Sequence, residues 1–105
     1  ETGTKTDIRW WRILDKSGRG LEITAEQPFS ASALHYSIET LDDGDRRHQR
    51  HAGELDEEPY TFICIDKAQM GLACENSWGA IARPEYRLPY DDYEFIFRIS
   101  PYRKF

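Results

Sequence analysis

Apolar residues along this chain recur with the period of strands rather than that of helices. Residues 7–14 (DIRWWRIL) join aromatic and β-branched side chains and run into Asp15-Lys16-Ser17-Gly18-Arg19-Gly20, a turn signature, before residues 21–24 resume the apolar pattern. The two runs predict a hairpin with a loop of several residues. Residues 28–36 alternate imperfectly, as a strand with one buried face does. Residues 37–41 predict a short helical turn, closed off by Asp42-Asp43-Gly44-Asp45. Residues 60–65 (YTFICI) and 93–99 (YEFIFRI) predict two further strands. The second sets Tyr93, Phe95, Phe97 and Ile99 on one face and Glu94, Ile96 and Arg98 on the other. Burial in the first strand accounts for at least one of Trp10 and Trp11. Residues 46–56 are charged and carry no apolar period, and no helix longer than a turn or two is indicated. The expected architecture is all-β and sandwich-like, a single domain over residues 1–105.

Between the last two strands lies residues 66–90, rich in Gly, Pro, Asn and Ser, read as a long ordered loop with a short strand at 85–88. Loops of this length inside a compact domain are uncommon, and binding residues concentrate on them. At its middle stands Trp78, within Glu75-Asn76-Ser77-Trp78-Gly79. A flat indole among polar and small residues suits the apolar C–H face of a sugar ring. Residue type and position serve equally well for a Trp78 that plugs the loop against the sheet.

Composition narrows the function classes. Aromatic residues make up 13% and charged residues 31% of the chain, which suits a globular domain. The net charge of −5 argues against a nucleic-acid partner, and no apolar run approaches a membrane span. Glu1 in place of an initiator Met is read as a boundary inside a longer chain. Cys64, inside an apolar run, reads as a buried small hydrophobe; spacing leaves its pairing with Cys74 undecided. His48 and His51 share a face only on a helix, and no Cys or carboxylate spacing completes a metal set with them or His35. The basic stretch Arg46-Arg47-His48-Gln49-Arg50 is flanked by acids, which favours local pairing. Glycoside hydrolysis needs two facing carboxyls, one with a raised pKa. The acids here lie in turns (Asp42, Asp43, Asp45) or in a charged run (Glu54, Asp56, Glu57, Glu58), as solvated carboxylates do. No nucleophile elbow or phosphate loop is present, so no catalytic residue is assigned.

Several ordered segments resemble the C-terminal, small-chain type region of large bacterial β-galactosidases of glycoside hydrolase family 2. Gln69-Met70-Gly71 followed by Glu75-Asn76-Ser77-Trp78-Gly79 is similar to the family's M-G…D-D-S-W-G segment. Thr6-Asp7-Ile8-Arg9-Trp10 resembles its T-D-V-R-W opening. Pro28-Phe29-Ser30 with Ala33-Leu34-His35-Tyr36 resembles its P-F-x-F…S-x-Y strand. Pro84-Glu85-Tyr86 with Leu88-Pro89 matches the stretch after the loop. The similarity runs from about Lys5 to Pro101.

The resemblance implies a multi-domain parent whose (β/α)8 barrel carries the catalytic glutamates, and a C-terminal β-supersandwich, galactose mutarotase-like, of which this chain is part. It implies that Trp78 stacks on the sugar or the leaving-group subsite, with Glu75, Asn76 and Ser77 as its substrate-binding neighbours shaping the loop. Magnesium and sodium in the family are bound mainly by other domains, so no cofactor is expected in this fragment. The implied partners are a β-galactoside, other domains of the same chain, and further copies of the parent. The compartment stays open between bacterial cytoplasm and periplasm. Ala73-Cys74 replaces a frequent Gly-Gly of the family, and Glu75-Asn76 replaces its two aspartates. A reading of another class is a free-standing carbohydrate-binding β-sandwich.

Overall fold

The computed structural model describes residues 3–42, 44–45, 50–71, 76 and 78–105. Its framework is one antiparallel, four-stranded sheet. The strands are β1 (Lys5–Leu14), β2 (Arg19–Leu34), β3 (Phe62–Asp66) and β4 (Phe97–Arg103), with a short helix α1 (Ile38–Leu41) after β2. β2 is the spine: β1 pairs along one side of it, while β4 and β3 share the other, β4 along the first half and β3 along the second. The fold is all-β as expected, and the described sheet supplies one layer of a sandwich-like domain.

The β1–β2 hairpin closes through a tight turn. Gly18 N–H donates to the Asp15 carbonyl at 3.0 Å and Asp15 N–H to the Arg19 carbonyl at 2.8 Å. Gly18 has φ +79, the left-handed conformation that ends a three-residue hairpin loop. The Asp15 side chain accepts from Ser17 N–H at 2.8 Å, Ser17 O–H at 2.6 Å and Arg19 N–H at 3.1 Å.

Residues directly opposite in an antiparallel pair share a face. Trp11 faces Ile23 and Ile13 faces Leu21 across β1–β2, and Ile99 and Phe97 face Ile23 and Ala25 across β2–β4. This apolar face holds the core of Ile23, Phe29 and Ala31, with Ile8, Trp11, Ile65 and Phe95 packed against it. Full burial of a side chain such as Ile23 or Phe29 contributes about 1.5–3 kcal/mol. The other face is polar: Arg12 is ion-paired to Glu22 at 2.6 Å, and its guanidinium lies 4.3 Å from the Trp10 ring centroid and 4.0 Å from that of Tyr102.

A β-bulge decides which tryptophan goes inside. The β1–β2 register shifts between Lys5 and Ile8 and again between Ile8 and Trp10, and Asp7 adopts φ +53. Asp tolerates the left-handed region better than most residues, but the shift at Asp7 precedes Ile8; the second shift, where two residues of β1 pass five of β2, is the one that re-aims the side chains beyond it. Trp11 therefore packs on the core, and Trp10 stands 56% exposed on the polar face.

Four expectations are corrected. Residues 21–24 and 28–34 belong to one strand, β2, which ends before His35: Pro28 falls in the gap between its β4 and β3 partners, where no ladder hydrogen bond from it is needed. The last strand spans Phe97–Arg103 rather than beginning at Tyr93: its pairing with β2 stops at Ala25, short of the stretch 26–29 that precedes the β3 pairing. Residues 84–86 form a 3-10 turn rather than a strand, opened by Pro84 in the first turn. Cys64 is an exposed free thiol, not a core residue. It faces Ser32 across β2–β3, in a groove with Leu34, Tyr36 and Phe62 on the side away from the core, while Ala31 and Ile65 pair on the core side. Cys74 lies outside the described residues.

The helical turn forms as predicted. Ser37 caps α1 by accepting from Thr40 N–H at 3.1 Å, and Glu58 fastens the turn to the following segment, accepting from Ser37 N–H at 2.7 Å and Thr40 O–H at 3.1 Å. Of the basic stretch only Arg50 is described; it donates to the Thr40 carbonyl. His51 N–H donates to Glu54 at 2.7 Å, opening the 3-10 turn Ala52–Glu54, and His48 lies outside the described residues.

A clasped loop that presents Trp78

The long connection between β3 and β4 is shut at its base. Gly71 N–H donates to the Tyr86 carbonyl at 2.6 Å. A Cβ at position 71 would stand 2.8 Å from the Cβ of Tyr86 and 3.3 Å from that of Ala82, so only glycine permits this approach. Ala82, 4% exposed, fills the base from within, and Arg87 Nε donates to its carbonyl. The 3-10 turn Pro84–Tyr86 supplies the returning limb, with Tyr86 N–H donating to Arg83 at 2.9 Å. The result is a loop of the Ω kind, its ends close together and its base packed by its own side chains.

Asn76 and Trp78 lie between these limbs. Asn76 Oδ1 accepts from the backbone N–H of Trp78 at 3.1 Å and of Ala80 at 3.3 Å, a side chain standing in for a turn carbonyl. Gly79 follows with φ +111, a conformation that L side chains rarely adopt. Trp78 itself is 83% exposed. Its indole does not plug the base of the loop; Ala82 does. Ile81, Tyr86, Leu88 and Tyr90 are exposed along the same connection, which makes this the most apolar solvent-facing segment outside the sheet. Glu75 and Ser77 lie outside the described residues, as do Ala73 and Cys74.

Exposed aromatic surface of this kind can stack on a ring and hydrogen-bond through the indole N–H, but it cannot cleave a bond. The carboxyls whose titration is displaced point away from acid catalysis. Asp15 is held below the usual carboxylate range, first by the Ser17 hydroxyl and then by the Arg19 N–H. Glu58 is lowered by the Ser37 N–H and, to a smaller degree, by the Ser37 and Thr40 hydroxyls. A general acid needs the opposite shift. Among the described residues, no three His, Cys, Asp or Glu side chains converge as metal ligands. No described helix is long and apolar enough to cross a membrane.

Trp78 and Asn76 lie on the β3–β4 connection where the sequence set a long loop, whereas the closure at Gly71 and Ala82 was not foreseen. No local signal singled it out: Gly71 and Ala82 are two of the six Gly and Ala residues between 66 and 90.

The chain matches the family described as beta galactosidase small chain over residues 1–99. It is 34% identical over 102 residues to a β-galactosidase of Halalkalibacterium halodurans, a match that covers 95% of this chain and 10% of that protein. With a β-galactosidase of Lactobacillus delbrueckii subsp. bulgaricus it shares 38% over 89 residues, 84% of this chain and 8% of the other. With that of Streptococcus thermophilus it shares 34% over 103 residues, 96% and 10% respectively. The chain thus spans about a tenth of the length of these relatives. No solved structure matches it. On the strength of the match across nearly all its residues, the chain belongs to the beta galactosidase small chain family.

Proposed function

We propose that this chain is a non-catalytic C-terminal piece of a β-galactosidase that hydrolyses terminal β-D-galactosides such as lactose, and that its loop lends Trp78 to the sugar site as a stacking platform. The observation that carries the reading is an indole 83% exposed on a loop clasped at its base, a costly arrangement for a large apolar side chain without a ligand or neighbour to cover it. Relatives that carry the same region are named β-galactosidases, and in each it is a small share of the chain, which leaves room for the catalytic carboxyls elsewhere.

Other parts of the same polypeptide are the partners this reading requires, and the sheet supports them. On its apolar face Leu21, Phe97 and Ile99 are exposed although they flank the buried Ile23. Trp11, packed on the same face, has a buried indole N–H without an acceptor among the described residues. A second layer laid on this face would cover the first three and offer the fourth a carbonyl.

The test is Trp78→Ala in the full-length protein that carries this segment, assayed on lactose and on 4-nitrophenyl β-D-galactoside. A stacking contact worth about 1–3 kcal/mol predicts a KM raised about tenfold or more. Unchanged kinetics on both substrates would refute the role of Trp78. The isolated chain is expected to turn over neither substrate, and turnover by the pure fragment would overturn the non-catalytic assignment.

A further inference from the structure

We infer that Asn76 is the positioning residue for Trp78: it serves the sugar site through the indole, not by touching the sugar. The inference rests on the reading of Trp78 given above and adds the device that holds it.

The geometry assigns the role to one atom. Asn76 Oδ1 takes the N–H groups of Trp78 and Ala80, the residues on either side of Gly79. Gly79 has φ +111 and, among the described residues, no atom within 4 Å of where a Cβ would be, so no side chain of its own fixes this bend. Glycine is the residue with the most backbone freedom to lose, and a bend built on it holds only as well as the hydrogen bonds across it. Two of those bonds converge on the Asn76 oxygen. The clasp at Gly71 and Tyr86 fixes the base of the loop, and Asn76 fixes the bend above it. Trp78, being 83% exposed, makes too little contact with the rest of the chain to set its own direction. Asn76 is half-buried, with its acceptor oxygen taken up by the backbone N–H groups of Trp78 and Ala80.

The role makes a distinction that mere stability does not. A residue acting only through Trp78 has nothing left to do once the indole is gone, so its effect vanishes in the Trp78→Ala background. A residue that contacts the sugar itself adds its loss to that of Trp78.

The experiment uses the full-length protein with 4-nitrophenyl β-D-galactoside and the variants Asn76→Ala, Asn76→Asp, Trp78→Ala and the Asn76→Ala/Trp78→Ala double. Loss of the two backbone bonds, with the equivalent of about one of them (~1 kcal/mol) expressed in substrate binding, is expected to raise KM about fivefold in Asn76→Ala with kcat held within about twofold. Asn76→Asp keeps the acceptor oxygen and should restore KM to within about twofold of wild type. The double variant should match Trp78→Ala. Amide hydrogen exchange, resolved to single residues, should quicken about fivefold at Trp78 and Ala80 in Asn76→Ala. Unchanged exchange at both amides would overturn the positioning role, whatever the kinetics. Additive KM losses in the double variant would overturn it too, by showing that Asn76 acts on substrate directly. If Trp78→Ala alone leaves KM at the wild-type value, the stacking reading fails, while the exchange result still decides whether Asn76 holds the bend.

Discussion

The β1–β2 turn and the Trp78 loop are built from the same two devices, a short side chain that accepts backbone N–H groups and a glycine where a side chain has no place. In the turn these are Asp15 and Gly18; in the loop they are Asn76 and Gly71. What differs is what each connection is attached to. The turn is continuous with two paired strands and is buttressed by Lys104 N–H on the Gly18 carbonyl at 2.8 Å, so its geometry is over-determined by the sheet. Among its described residues the loop has no ladder, and these are held by the clasp at the base and the Asn76 bonds above it. Identical local chemistry thus sets strand register in one place and aims an exposed indole in the other.

The sharpest way to break the comparison is to fill the two glycines. Gly18→Val puts a β-branched residue at φ +79 with its Cβ 3.0 Å from that of Lys104, and strain plus contact should cost about 2–3 kcal/mol of stability. Denaturant unfolding should record the loss while KM for a galactoside stays at the wild-type value. Gly71→Ala forces the Tyr86 limb outward from a 2.8 Å contact, an overpacking cost of about 1–2 kcal/mol confined to the loop. Its signature should be the reverse, a raised KM with the global unfolding midpoint little changed. A Gly71→Ala that lowers the midpoint as far as Gly18→Val, or a Gly18→Val that raises KM, would show that sheet and loop are not separable.

The same contrast explains what was legible in the sequence. Periodicity found the strands because each rests on an apolar face, and the 15–20 turn was plain because its residues have few other uses. The inner tryptophan was not legible, since parity counted from Ile8 points to Trp10 and only the register shift between Ile8 and Trp10 brings in Trp11. Cys64 was misread because an unbroken apolar run does not declare which alternate residues face the core. The start of β4 is set by where its pairing with β2 ends, at Ala25, a long-range fact that no local window contains. The space left between β4 and β3, a cleft of about 260 Å³ lined by Glu26, Pro28, Lys67 and Phe95, is where residues 94–96 leave the sheet. In the loop, resemblance pointed to Trp78, whereas the Gly71 closure is a contact between residues far apart in sequence and had to be seen in three dimensions.

The subtlest difference between the two connections is charge, and exchanging the acceptors tests it. Asp15 is held below its ordinary pKa by the Ser17 hydroxyl and the Arg19 N–H, so the carboxylate stabilises the turn above the unfolded-state pKa. That contribution is lost as pH falls through the lower, folded-state value. Asn76 does not titrate, and its bonds should hold through the same range. Asp15→Asn keeps an acceptor oxygen but removes the charge. The ratio of Arg19 amide exchange in Asp15→Asn to that in wild type should therefore exceed one at neutral pH and fall toward one as pH drops through the carboxylate range. Taking the ratio cancels the intrinsic pH dependence of exchange. Asn76→Asp should carry the hairpin's behaviour into the loop: Ala80 should be more protected than in wild type at neutral pH, where the charged acceptor binds its N–H more strongly, and should lose that excess on acidification. An Arg19 ratio flat with pH would mean that strand pairing alone holds the turn. A flat Ala80 ratio would mean that the bend at Gly79 is fixed by something other than the side chain at position 76.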